Sequence, residues 1–375
     1  MLPAPSQAGR ERGDRIRRPA RAAQGKGKRL TRLAVIIVNY RTPDLALACA
    51  RAAADAAPGF AALDVLIVDG GSGDGSAERI AAALGEAPAP AVRLLALDIN
   101  GGFGFANNRG MRDIAAAAPL PDYFVLLNPD ARPRPGALEA MARLLDATPR
   151  AGAVGARLEH EDGRPQSSAF TFPTLRGEFA RATETRFVER LLGVPPTAID
   201  ADAAREVPWV TGAAVMFRAA ALVQTGLFDE GFFLYFEETD LIRRLRAAGW
   251  SIWHEPQARV VHHGGVATGI RDTATGSMAP RQVPRYWLDS RRRYFALAGG
   301  RGYALASGLC WLAGRMIWLG KRLIVPKRNA SPPQLTADFV RYGLVPTARD
   351  ASPAIVTFTG DIAEMPAWMT ARVTR

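Results

Sequence analysis

The feature that most constrains this chain is a fourfold alternation that begins at Leu33: an apolar run, a polar cluster, then a helical stretch. "LAVIIVN" (33–39) is continuously apolar and β-branched, which suits a strand covered on both faces in a parallel sheet. An Ala-rich stretch, 43–57, follows with Pro43 in its first turn, where proline is tolerated. "LDVLIVD" (63–69) with 76–84, "VRLLALD" (92–98) with 105–117, and "YFVLLN" (123–128) with 135–146 complete the series. Four β-then-α units predict a doubly wound α/β fold, with ligands outside the carboxyl ends of its strands.

Each of these strands ends in polar residues. The first delivers Asn39, Tyr40 and Arg41, the second Asp69 and "GGSGDGS", the third "NGGFGFANNRG" (100–110), the fourth "NPD" (128–130). Polar groups at consecutive carboxyl ends define one site. "GFGFAN" lacks the third glycine of a dinucleotide fingerprint, Asn107 standing there, and the first βα turn, "NYRTP", has no glycine at all, so a nicotinamide cofactor is excluded. Taken together the clusters suit a nucleotide bearing a diphosphate. Asp69 would accept from base or ribose, while glycine-loop amides and Arg109 would face phosphate. Asp130 suits Mg²⁺ or Mn²⁺, with an N-cap for the next helix as the alternative.

"FFLYFEETDL" (232–241) sets Glu237, Glu238 and Asp240 directly behind aromatic residues. Neighbouring rings desolvate carboxylates and raise their basicity. In a helix starting near Glu238 that residue lies in the first turn, with Asp240 about 200° around the axis, free to cap the helix or to pair with Arg243 or Arg244. "VPWVTGAAVMFR" (207–218) and "SIWHEPQARVVHH" (251–263) read as further strands or edges, and "VVHHGG" puts His262 and His263 at a strand end.

Charge is unevenly spread. The net +12 is concentrated in residues 1–33 and 281–328, which leaves the middle mildly acidic. Residues 1–31 lack the apolar core of a secretory signal and read as a disordered basic arm. "YALASGLCWLAGRMIWLGKRLIV" (303–325) is long enough to cross a bilayer, but Arg315 near its centre favours an amphipathic helix lying in the interface. Residues 271–328 are therefore expected as a membrane-associating segment and 329–375 as a loosely packed tail. In the same region the bases alternate with Trp, Leu and Ile, which suits anionic lipid better than nucleic acid. The two cysteines, Cys49 and Cys310, are too few for a disulfide framework.

The runs "VIIVNYRT", "IVDGGSGDGS", "NGGFGFANNRG", "LLNPDA", "GAAVMFRAAALVQTGLFDEGFFLYFEETDLIRRLRAAGW" and "ARVVHHGGVATG" together resemble a family 2 glycosyltransferase of the GT-A fold, closest to the rhamnosyltransferase-like branch that builds bacterial cell-surface polysaccharides. The resemblance covers roughly 33–295 and implies a catalytic domain over 32–270. It implies a nucleotide-sugar site at Asn39, Tyr40, Asp69, Gly102, Asn107, Arg109 and Asn128, with Asp69 at the base. Asp130 takes the last position of the family's Asp-x-Asp metal motif, Asn128 replacing the first Asp, and His262 is implied as a further ligand of metal or diphosphate. Glu238 falls where most relatives carry the catalytic Asp of a Glu-Asp pair; here the pair is Glu237-Glu238. Gly70 stands where Asn is common and Thr268 where Ser is common. Relatives use polyprenyl-diphosphate-linked acceptors, which Asp240, Arg291 and Arg292 would meet, at the inner face of the cell membrane. One base suffices for such transfer, because a metal-bound diphosphate leaves without a general acid, and a base opposite the leaving group predicts inversion. A nucleotidyltransferase and a non-catalytic nucleotide-binding scaffold remain as alternatives.

Overall fold

A computed structural model describes residues 31–86, 92–199, 201–264, 282–324, 331–361, 364–366 and 368–369. The expected basic arm, but for residue 31, and Thr268 lie outside the described residues. The strands are β1 Arg32–Asn39, β2 Ala62–Asp69, β3 Val92–Ala96, β4 Tyr123–Leu127, β5 Ala131–Pro133, β6 Ala151–Glu159, β7 Pro165–Gln166, β8 Ala169–Phe170, β9 Arg205–Glu206, β10 Trp209–Val210, β11 Ala214–Arg218 and β12 Ser251–His262. The helices are α1 Pro43–Ala54, α2 Ser76–Glu86, α3 Phe103–Ala117, α4 Ala137–Ala147, α5 Leu175–Ala182, α6 Arg186–Leu191, α7 Ala219–Thr225, α8 Glu237–Ala247 and α9 Arg285–Ile324. The first four βα units stand where the hydrophobic pattern placed them, to within about three residues.

The main sheet runs β3-β2-β1-β4-β11-β6-β12-β5. Its first four strands are parallel, with Asn39 opposite Asp69 and Ile37 opposite Leu127. Val35, Ile36 and Ile37 are all fully buried because helices cover both faces. Val35 and Ile37 belong to one core with Leu47 of α1 and Met141 and Leu145 of α4, while Ile36, Leu66 and Val68 belong to a second with Met111 of α3, Leu222 of α7 and Leu241 and Leu245 of α8. Truncating one such side chain to Ala costs about 2–5 kcal/mol. The 207–218 run is not an edge. It breaks at Gly212 into β10, which peels away to pair with β8, and β11, which enters the middle of the sheet antiparallel to both β4 and β6. β12 runs parallel to β6, so the carboxyl ends of β1, β2, β4, β6 and β12 share one rim.

The C-terminal region is knitted into this body more closely than the sequence suggested. α9 breaks at Gly299 and Gly300, the latter at φ 83°. Before the break its aromatics pack on the acidic loop, Tyr286 against Phe233 and Tyr235, Trp287 and Tyr294 against Phe236, while Ser290 Oγ donates to the Leu234 carbonyl at 3.0 Å. The described part of the tail is not loose. Its Ala354 and Val356 carbonyls accept from Glu230 and Leu227 at 2.9 and 2.8 Å, and Phe358 stacks on Phe124 of β4. A chain of Pro, Ser and Thr holds no periodic signal, yet its backbone supplies an edge to the loop before α8.

Candidate active site

The rim holds three groups of polar side chains. At the first, Asn39 and Asp69 project from paired strand ends and meet directly, Asn39 Nδ2 donating to Asp69 Oδ1 at 2.6 Å. The "GGSGDGS" loop folds back so that Ser72 donates to Asp69 from Oγ at 2.6 Å and from its backbone amide at 3.0 Å. Ser72 in turn accepts from the Arg41 amide at 3.0 Å, and Thr42 donates to Asn39 Oδ1 at 3.1 Å. Tyr40 lies beside this network, partly exposed, with the Arg41 guanidinium 5.1 Å from its ring centre. Buried carboxylates need such partners, and this one has three.

The second group lies at the ends of β4 and β12. His262 Nε2 is 3.5 Å from Asp130 Oδ1 and 3.5 Å from Asn128 Nδ2, and its Nδ1 lies 3.2 Å from Gln166 Oε1. Gln166, on β7, also donates to the His262 carbonyl at 2.5 Å, so it holds ring and backbone together. Burial pulls the His262 pKa below its ordinary value against the opposing pull of Asp130, favouring the neutral ring. With Nδ1–H donated to Gln166, the Nε2 lone pair faces Asp130. One imidazole nitrogen and one carboxylate oxygen 3.5 Å apart can share a divalent cation, whose other positions a diphosphate and water would fill. Among the described residues no group of three or more His, Cys, Asp or Glu side chains could hold a metal alone.

The third group is the acidic loop. Tyr235 and Phe236 both take left-handed backbone angles, φ 70° and 69°, immediately before α8. Non-glycine residues there carry strain of about 1–3 kcal/mol each, sustained by the aromatic clamp from α9. This twist puts Glu237 inside, 2% exposed, beside Gly104 of α3, with its Oε2 buried and unpartnered. Glu238 turns outward, partly exposed, next to Gly212. Burial pushes the Glu237 carboxyl well above the usual range, and the charge of Glu238 adds to the effect. Burial also raises Glu238, while the amides of Glu238, Gly212 and Thr239 pull it back. Gly102, at φ 86°, lets α3 touch this loop: a Cβ there would fall 1.7 Å from the Phe233 carbonyl oxygen, which accepts from Phe103 N at 3.2 Å.

Contacts join the groups along the rim. Glu238 stands against Gly212; the neighbouring Ala213 carbonyl accepts from Asn128 N at 2.9 Å; and Asn128 reaches His262. Asn39 ends β1, and Asn128 follows the end of the adjacent β4. Other candidates sit elsewhere. Arg109 is drawn to Glu230 at 3.1 Å and over the Phe105 ring, and the Gly102 and Phe103 amides are taken by Asn100 and Phe233, so the amide cradle expected at this loop is already used. Asn107 is fully buried, its amide nitrogen donating to the Phe103 carbonyl.

Asp240 and the arginines expected at the acceptor are interior ion-pair partners. Asp240 bonds Arg243 and Arg244 at 2.7 and 2.9 Å, the pairing its spacing allowed. Arg291 bonds Glu178 and Arg292 bonds Asp350, while the adjacent Arg293 bonds Asp229 at 2.6 Å. All three arginines are under 10% exposed, and a buried guanidinium requires a carboxylate, here from three different elements. They staple α9 to α5, the tail and the acidic loop. Gln166 and the Tyr286–Trp287 clamp carried no signal in the sequence, since their partners lie far along the chain.

A family model described as "Glycosyltransferase like family 2" matches residues 31–298. Over 243 residues the chain is 33% identical to the N-acetylglucosaminyl-diphospho-decaprenol L-rhamnosyltransferase of Mycobacterium tuberculosis, in strains CDC 1551 / Oshkosh and H37Rv alike, covering 61% of this chain and 75% of the relative. Among solved structures it is similar to the mannosyltransferase PcManGT from Pyrobaculum calidifontis in complex with GDP-Man and Mn²⁺, with TM-score 0.48 and 15% identity over 79% of this chain and 76% of that one. It is also similar to GalNAc-T7 with UDP, GalNAc and Mn²⁺, with TM-score 0.47 and 12% identity over 85% and 56% of the two chains.

Proposed function

Because this chain belongs to glycosyltransferase family 2, we propose that it moves a sugar, with inversion, from a nucleotide-diphosphate donor to a saccharide hydroxyl in cell-surface polysaccharide synthesis. The donor is a deoxythymidine-linked deoxyhexose such as rhamnose, and the acceptor is carried on a polyprenyl diphosphate at the inner face of the membrane. The M. tuberculosis rhamnosyltransferase, whose name specifies a rhamnosyl group and a diphospho-decaprenol-linked acceptor, supports the sugar and its carrier.

One observation carries the reading: Glu238 is the partly exposed member of a carboxylate pair whose other member is sealed inside, and burial gives it a base's affinity for a proton. The acceptor hydroxyl gives its proton to Glu238 as its oxygen bonds the anomeric carbon. The bond from that carbon to the diphosphate breaks in the same step, its electron pair leaving with the diphosphate. Asp130 and His262 would hold the Mg²⁺ or Mn²⁺ that neutralises the departing charge. Burial favours the protonated form of Glu237 and so limits the negative charge beside Glu238, and the Asn39–Asp69–Ser72 network presents a fixed edge to the nucleoside. Incubation with a panel of nucleotide sugars and a saccharide acceptor tests the proposal. Release of free nucleoside diphosphate with one donor is expected. Release of inorganic diphosphate from a sugar phosphate and a nucleoside triphosphate would make the protein a nucleotidyltransferase, and no release from any donor would leave a binding scaffold.

A further inference from the structure

Beyond its break at Gly299 and Gly300, α9 turns an apolar face outward that no described part of the chain covers. Leu305, Leu309, Met316, Leu319 and Leu323 are 38, 51, 58, 37 and 88% exposed. Their spacing sets all five on one side of the helix, along about 27 Å. The opposite side is occupied. Gly314 lies so close to α5 that a Cβ would fall 2.2 Å from the Phe179 carbonyl oxygen, and Arg315 pairs with Glu184 and sits 3.5 Å over the Trp318 ring. With its inner side bound to protein, the helix can lie on a surface but cannot enter one. No helix among the described residues is long and apolar enough to cross a membrane. α6 lies beside α9, Lys321 donating to the Thr183 carbonyl and to Thr185 Oγ1 just ahead of it, and its Phe187 and Leu191 are each 71% exposed.

Charge selects the occupant. Arg301 of α9, on the same side as the leucines, and Arg186 and Arg190 of α6 are exposed, against Glu189 on α6, and α9 carries no acidic residue after Asp289. A second copy would offer Arg301 no acidic partner from this stretch of α9. An anionic surface meets both the leucines and the bases.

We propose that the outer face of α9 beyond Gly300, together with α6, docks on an anionic lipid bilayer, its leucines and Phe187 in the headgroup–acyl boundary and its bases among the headgroups. The inference extends the proposed function by naming the surface that brings the catalytic rim to a lipid-linked acceptor. Its test needs no donor. The full chain is sedimented at low salt with phosphatidylcholine vesicles containing about one third phosphatidylglycerol, and with phosphatidylcholine alone. Binding to the anionic vesicles is expected, falling at least about tenfold in the triple variant Leu309→Glu, Met316→Glu, Leu323→Glu, as each buried methylene contributes roughly 0.8 kcal/mol. Val223→Glu, at an exposed residue of α7, should bind as the parent does. The triple variant should keep the parent's melting temperature and its release of nucleoside diphosphate with a water-soluble acceptor, so failure to dock and failure to transfer are read separately. The proposal falls if the parent stays in the supernatant, if the triple variant still sediments, or if the parent is a dimer that the triple variant splits.

Discussion

The two ends of the catalytic rim solve opposite problems. Around Asp69 the hydrogen bonds close: both carboxylate oxygens accept, from Asn39 and from Ser72 twice. Around Glu237 they do not: its Oε2 is sealed in with no partner, two residues before α8 hold strained angles, and the amides that reach the neighbouring Glu238 only partly offset its burial. A group that must grip the same face of a ligand every time benefits from being satisfied and rigid. A group that must take and release a proton benefits from being under-satisfied, because burial without compensation is what raises its affinity for hydrogen. The site spends stability at one end and stores it at the other.

Four measurements can break that contrast or sharpen it. Glu238→Gln should lower kcat by roughly 10²–10⁴, the usual contribution of a general base, with donor affinity unchanged. In the parent, kcat should rise with pH through a midpoint above that of an ordinary glutamate, because burial raises this carboxyl; a variant as fast as its parent would remove Glu238 from the reaction. His262→Ala should raise the Mn²⁺ concentration at half-maximal activity by about 10–100-fold, and direct titration of Mn²⁺ by its electron-spin signal should shift equally. Gln166→Leu should weaken Mn²⁺ by about tenfold while freeing the His262 ring to exchange tautomers, visible in its nitrogen chemical shifts; an unchanged tautomer ratio would show that Gln166 does not set it.

The smallest effect concerns stability. Because the folded state raises the Glu237 pKa, it favours the protonated carboxyl. That contribution is complete below the unfolded pKa and disappears as pH rises through the folded one. Glu237→Gln, uncharged throughout, should therefore gain on the parent as pH rises above the range of an ordinary glutamate. Melting curves that stay parallel above that range would mean the side chain is not held neutral inside.

Much of the first group was legible because it is local in pattern: an apolar strand ending in Asn39 or Asp69 announces both its burial and its exit. The same holds for Glu238, whose aromatic approach signals desolvation. The resemblance, not periodicity, pointed to His262. What escaped was set by partners distant in sequence. Arg291, Arg292 and Arg293 read as an open basic patch, because nothing near them reveals that Glu178, Asp350 and Asp229 arrive from elsewhere. Gln166 sits in a two-residue strand too short to have a period, and the antiparallel entry of β11 is set by pairing with β4 and β6, which lie far back in the chain.

The meeting of Gly102 with the Phe233 carbonyl has one more consequence, for the order in which the molecule is assembled. These residues are far apart along the chain, and the loop that carries the glutamates has its seat only once α3 has settled on the sheet. Contacts of long sequence separation form late. Until that contact is made the reactive carboxylates are unaimed, so competence waits on two distant stretches of the chain meeting.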